Sequence, residues 1–222
     1  MRSIKIAPGE HYHICNRGMS KQVIFHGTGD YARFLFLILY LQSPVVFSNM
    51  SRQASWFVKH RVFNINLEDR KGVVDKRTVE LVAFCLMPNH FHLIVKEIEE
   101  GGIASYMQRV LNSYTKYYNT KYQKSGHLFQ GPYRAVHVET NEQLLYLSTY
   151  IHRNPRELAG WRNKESQYVW SSYQDFIKNN RWDELIRPSI IGEQFKKKSD
   201  YRRFVESSTA KSLEEELGRL PF

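Results

Sequence analysis

Residues 86–97 read LMPNHFHLIVKE, and this stretch constrains the fold more than any other part of the chain. Glu80 to Leu86 is an apolar run with Val, Phe and Cys; Met87-Pro88-Asn89 punctuates it, and His90 to Val95 resumes the β pattern. That arrangement reads as a hairpin or a closely linked strand pair. Side chains alternate along a strand, so His90 and His92 project from one face and Phe91 from the other. Two imidazoles side by side on a rigid strand are half of a divalent-metal site. A strand whose histidines face solvent or satisfy buried groups has the same pattern, and the rest of the chain decides between the two.

Other segments place this pair in an α+β fold. His11 to Asn16 reads as a first strand, and Thr28-Gly29-Asp30 opens a helix running through Tyr31 to Leu41. Residues 44–78 are charged and lack a single period, which suggests a helical connection and a loop inserted before the hairpin. Met107, Val110, Leu111, Tyr114, Tyr117 and Tyr118 recur at helical spacing across Ile103 to Tyr122. Arg134 to Val138 reads as a last strand. Asn141 then caps a helix that Pro155 stops, because the residue before proline is pushed out of the helical region. The order strand, helix, strand, strand, helix, strand predicts a ferredoxin-like (RRM-like) antiparallel sheet with helices on one face. The helix after the last strand covers or completes a site. A domain over residues 1–178 and a C-terminal helical extension over 179–222, with segments at Ser199 to Glu206 and Leu213 to Leu217, complete the expected organisation.

Composition points to a polyanionic partner. Lys and Arg number 32 against 22 Asp and Glu, a formal charge of +10, and fourteen Tyr and thirteen Phe offer stacking faces. Cations that meet phosphates and aromatics that stack on bases fit a nucleic-acid binder. The apolar run Phe34 to Leu41 falls short of the roughly 20 residues that span a bilayer. The opening MRSIKIAPGEHYH is polar and unlike a signal peptide. Cys15 and Cys85 lack CxxC spacing and read as reduced core thiols, so a cytoplasmic location without membrane attachment is expected.

Tyr150 and Asn154 stand four apart on the last helix and share a face. Asn154 offers a carbonyl oxygen as a third ligand beside two imidazoles, and Tyr150 offers a phenolic oxygen. With these residues in view, MPNHFHLIV resembles the HUH motif of single-strand DNA endonucleases. Tyr-Ile-His-Arg-Asn-Pro at 150–155 resembles the tyrosine-to-Asn-Pro helix of the IS200-like transposases and their REP-associated tyrosine transposases. YHICNRG at 12–18, LFQGP at 128–132 and VWSSY at 169–173 fit the same group, and the resemblance spans about residues 10–175.

The resemblance implies His90, His92 and Asn154 as metal ligands, Mg²⁺ or Mn²⁺ as the ion and Tyr150 as the nucleophile. It implies cleavage through a 5′-phosphotyrosine on single-stranded DNA beside a hairpin, by a monomer or a homodimer. Tyr114, Tyr117, Tyr118 and Tyr122 lack an amide ligand one turn on, and His152 projects away from the Tyr150–Asn154 face. Arg17, Lys116, Lys121, Lys124 and Arg134 are candidate phosphate contacts expected to cluster near the site; His127 and Phe129 could stack on a base or close their loop onto the core. A non-catalytic nucleic-acid-binding module would need neither Tyr150 nor the histidine pair. A zinc hydrolase would need a further His, Asp or Glu ligand, and no H-E-x-x-H pattern occurs. A mobile transposase and a domesticated strand transferase share all of these features.

Overall fold

The computed structural model describes residues 5–45, 49–63 and 66–208. Its sheet contains β1 (His11–Arg17), β2 (Val79–Met87), β3 (His90–Glu97) and β4 (Arg134–Val138). The strands lie in the order β2-β3-β1-β4, and every neighbouring pair is antiparallel. This is the ferredoxin-like order predicted above. The helices are α1 (Thr28–Tyr40), α2 (Met50–His60), α3 (Leu67–Asp75), α4 (Gly102–Tyr122), α5 (Asn141–Arg153), α6 (Tyr173–Ile177), α7 (Ser189–Gly192) and α8 (Lys198–Ser207). Among the described residues none of these is long and apolar enough to cross a membrane. The segment Leu213 to Leu217 lies outside the described residues.

Alternation along β3 separates two chemistries. Phe91 points into the layer made by α1 and α4: its ring lies 4.8 Å from Phe34, which in turn lies 5.0 Å from Tyr114. His90 and His92 point to the opposite face, which α5 covers. Apolar burial drives the first face; polar functional groups collect on the second.

Gly18 ends β1 where no side chain fits, since a Cβ there would sit 2.3 Å from the Gln22 carbonyl oxygen. The Gly18 N–H donates to the Asn89 carbonyl oxygen at 2.8 Å, which fixes the turn that leads into β3.

Chain from the C-terminal part closes the free edge of β2. The N–H groups of Leu86, Ser172 and Arg187 donate to the carbonyls of Trp170, Phe84 and Leu81, each at 2.9 Å. An edge paired in this way is protected from pairing with another chain. Trp182 is fully buried beside Phe57 and Phe63, so residues 44–78 and the C-terminal extension share one cluster. Buried Asp175 accepts from the Trp182 indole N–H at 3.0 Å and from the Arg181 guanidinium at 2.8 Å. These bonds join the two sides of residue 178.

Two expectations about α5 change. Its cap is Thr140, not Asn141: the Thr140 hydroxyl accepts from the Gln143 N–H at 3.2 Å, and the Gln143 side chain accepts from the Thr140 N–H. A threonine one residue earlier, with Gln143 three residues on, completes the reciprocal box. Asn154 also keeps helical dihedrals (φ −47°, ψ −41°) despite preceding Pro155. The chain tightens into a 3-10 turn, Asn154–Glu157, in place of leaving the helical region.

Removing one partner of a buried ion pair costs about 3–5 kcal/mol. Asp175→Ala is therefore expected to lose stability on that scale in urea denaturation. A change below about 0.5 kcal/mol, the range of an ordinary surface substitution, would mean the extension is not integral to the core.

Candidate active site

Strand register assembles one face of the site. Across β1 and β3, Arg17 stands opposite His90 and Cys15 opposite His92; across β1 and β4, Arg134 stands opposite Cys15. Directly opposed residues share a face. His13, Cys15, Arg17, His90, His92 and Arg134 therefore occupy the side of the sheet that α5 covers. The Tyr150 ring stands 5.3 Å from the His92 ring and 6.3 Å from the His13 ring, nearly perpendicular to both. Within one chain, the predicted nucleophile and the histidine pair come together.

The end of α5 aims Asn154. Pro155 has no N–H to give to the Ile151 carbonyl, and the Asn154 N–H takes that acceptor. The Tyr150 carbonyl, which an unbroken helix would pair with the Asn154 N–H, accepts instead from the Asn154 side-chain Nδ2 at 3.0 Å. The amide is thereby oriented with Oδ1 toward His90 Nε2, 3.4 Å away.

His90 is oriented by a similar argument. The Asn89 Nδ2 donates to the Lys21 carbonyl at 3.1 Å, so Asn89 Oδ1 faces His90 Nδ1, at 2.6 Å. A contact that short requires the hydrogen on Nδ1, because an amide oxygen only accepts. Neutral His90 then carries its lone pair on Nε2. His90 Nε2 and Asn154 Oδ1, each able to serve as a ligand atom, thus lie 3.4 Å apart. A shared cation suits that arrangement.

Burial pushes His90 down to about 4 against the raising effect of its hydrogen bond to Asn154, with Arg17 adding to the fall. Burial holds His92 well below the usual imidazole range, helped by His90, His13 and Arg17. Both rings are neutral at pH 7 and competent to ligate. Burial also takes His13 down to about 4, with Arg134 contributing, and raises the Cys15 thiol to about 11. Donor atoms of His13, Cys15 and His92 lie within 4.8 Å of one another, a buried group able to bind a metal ion. Sequence alone does not mark His13 as a site residue, and Cys15 reads there as a core thiol. The period-two pattern of HYHICNR puts both on one face, but only the pairing of β1 with β3 brings that face to His92.

The five candidate cations are divided between the two sides of the sheet and do not form the single expected cluster. Arg17 and Arg134 lie on the histidine face. Lys116 and Lys121 ride on α4, on the Phe91 side, and Lys124 follows just after its C-terminal cap. Lys121 is committed to the fold, with its ammonium 2.6 Å from buried Asp30, which also accepts from Tyr117 and Tyr122. Lys124 lies over the Tyr118 ring at 5.5 Å. Lys116 borders a groove of about 960 Å³ between α4 and the 127–133 loop, with Asn112, Thr115 and His127. Phe129 is buried, so it closes the loop onto the core. The α4 tyrosines also serve the fold: Tyr114 donates to the Ile24 carbonyl at 2.6 Å and Tyr118 to the Val23 carbonyl at 3.4 Å.

His152, on the other side of α5, is structural. Its ring nitrogens lie 2.6 Å from the Tyr201 hydroxyl and 2.9 Å from the Ser172 hydroxyl. Burial lowers it to about 3. The unfolded chain binds a proton near pH 6.5 that the folded chain refuses, so stability is full above that pH. It falls as pH drops toward 3, by up to about 1.4 kcal/mol per pH unit for each such histidine. Urea midpoints measured from pH 4.5 to 8 are expected to follow this course, with a shallower slope in His152→Gln. A slope unchanged in that variant would remove His152 from the account.

The chain and its fold have known relatives. A family model described as "Transposase IS200 like" matches residues 42–154, just over half of the chain. His90, His92, Tyr150 and Asn154 all fall inside that match. No curated protein matches the chain. A solved structure described as "the REP associates tyrosine transposase bound to a REP hairpin" superposes with a TM-score of 0.54 at 14% identity. The alignment covers 82% of this chain and 86% of that one, and the likeness is one of fold. The chain belongs to the IS200-like transposase family.

Proposed function

We propose that the protein is a metal-dependent strand transferase for single-stranded DNA, with Tyr150 as nucleophile and His90, His92 and Asn154 as ligands of Mg²⁺ or Mn²⁺. The observation that carries this reading is the convergence of two potential ligand atoms, His90 Nε2 and Asn154 Oδ1, at 3.4 Å, beside the Tyr150 ring 5.3 Å from His92. The residues present fit a cation: two neutral imidazoles and one amide oxygen on a rigid strand and a helix end. Imidazole alone also suits Zn²⁺ and Ni²⁺; the amide oxygen moves the set toward harder ions.

The bound ion supplies Lewis acidity to a non-bridging oxygen of the scissile phosphate. The chain's residues do the rest. A tyrosine hydroxyl is a weak nucleophile while protonated, so Tyr150 must lose its proton as it attacks. Its phenolic oxygen bonds to phosphorus as its proton leaves to solvent; the bond from phosphorus to the 3′ oxygen breaks, and that oxygen takes up a proton. The 5′ phosphate stays on Tyr150 as a diester. Attack by another 3′-hydroxyl reverses the step and rejoins strands without a nucleotide cofactor. Arg17 and Arg134 place positive charge on the face where phosphate charge must settle.

The family, the +10 charge and a structural relative solved with a REP hairpin support a hairpin-flanking DNA substrate. Tyr150 lies against His92 of its own chain, the placement that action in cis requires.

Covalent capture tests the reading. Labelled single-stranded hairpin DNAs, pooled and incubated with Mn²⁺, should leave label on the protein in a denaturing gel. Tyr150→Phe should leave none. His90→Ala and Asn154→Ala should slow adduct formation by about a hundredfold or more, the scale of losing several kcal/mol of charge stabilisation. Adduct surviving in Tyr150→Phe would move the nucleophile to another residue. Tight binding without adduct, on DNA that a related transposase cleaves, would favour a non-catalytic binding module.

A further inference from the structure

His92 is held by a residue that the proposed reaction does not yet use. His13 Nε2 lies 2.9 Å from His92 Nδ1. The two ring planes differ by 11°, and the centroids are 5.1 Å apart. That separation is close to the nitrogen–nitrogen distance plus the two ring radii, so the rings meet edge to edge and nearly coplanar. This is the geometry of an in-plane hydrogen bond and not of face-to-face stacking. Both side chains are buried, His13 at 1% exposure and His92 at 0%.

Such a bond can carry its proton on either ring. With Nδ1 facing His13, Nε2 is the nitrogen His92 can lend to a cation, and only one arrangement gives Nε2 a lone pair. His92 must then be protonated at Nδ1 and donate, while His13 accepts at Nε2 and carries its own proton at Nδ1. His13 Nδ1 is buried with no hydrogen-bond partner among the described residues, so no other bond there dictates the His13 tautomer. Metal-ligating histidines generally need such a partner on the second nitrogen, to fix the tautomer and the ring orientation.

We propose that His13 is a positioning residue: it accepts the Nδ1–H of His92 and so holds His92 in the tautomer and orientation that present Nε2 to the metal. The proposal rests on the reading of His92 as a ligand. It accounts for a fully buried histidine on the adjacent strand, where an apolar residue would pack without a polar atom to satisfy. Cys15, which stands opposite His92 across the strand pair, takes no part in this bond.

Two measurements test the proposal. The first is long-range ¹H–¹⁵N correlation of the histidine side chains in the wild-type protein with Mg²⁺; His92 is expected as the Nδ1–H tautomer, and an Nε2–H tautomer would overturn the proposal. The second is Mn²⁺ affinity by electron paramagnetic resonance. His13→Phe, which keeps a ring but has no acceptor, should bind Mn²⁺ about 10–100-fold more weakly. His13→Gln, whose Oε1 can still accept from His92, should recover most of that loss, and Cys15→Ala should bind like wild type. Equal affinity in His13→Phe and wild type, or no recovery in His13→Gln, would reduce His13 to packing. A matching loss in Cys15→Ala would place the ion among His13, Cys15 and His92 and overturn the positioning role.

His90→Ala separates this proposal from the one beneath it. If wild type binds Mn²⁺, His90→Ala does not and His13→Phe does, the ligand reading stands and the positioning role fails. If wild type binds no Mn²⁺, the ligand reading itself fails, and the positioning role with it. The wild-type spectrum decides the tautomer even where a variant does not fold.

Discussion

The hydrogen bond from the Asn154 side chain to the Tyr150 carbonyl is the contact on which the site depends. Its origin is a missing donor. Pro155 cannot pair with the Ile151 carbonyl, the Asn154 N–H shifts one residue forward to do so, and the Tyr150 carbonyl is left for an amide side chain. One proline thus lets a helix end aim an amide side chain. It points the amide oxygen at His90 and ties the peptide group of the proposed nucleophile to the proposed ligand. The Asn-Pro pair has a mechanical reason to follow a tyrosine by one helical turn.

The sheet supplies the other half through alternation. β3 sends Phe91 into a tight aromatic layer and holds His90 and His92 on the opposite face with little freedom to move. Burial keeps the imidazoles neutral, which costs stability in acid and keeps their lone pairs available at neutral pH. The same burial draws His13 against His92. Fold stability and ligand competence therefore arise from one cause, the removal of water from the α5 face.

Much of this is legible in the sequence because it rests on local rules. Period-two spacing puts His90 and His92 together, helical spacing puts Tyr150 with Asn154, and the order of elements predicts the sheet. What escapes is whatever depends on register or on distant packing. His13 and Cys15 become neighbours of His92 only when β1 pairs with β3. The lysines of α4 look like partners of the site in sequence, yet they sit on the far side of the sheet, and Lys121 is drawn to Asp30, 91 residues away. The Thr140 cap and the helical dihedrals of Asn154 show the limit of rules applied one residue at a time. In both places neighbouring hydrogen bonds decide the outcome.

The most direct test of the central claim is anomalous diffraction from crystals of the protein grown with Mn²⁺. The account predicts one strong peak bounded by His90 Nε2, the His92 ring and Asn154 Oδ1, with the Asn154 Nδ2 still on the Tyr150 carbonyl. A peak among His13, Cys15 and His92, or none at His90 and Asn154 in fully loaded crystals, would contradict it.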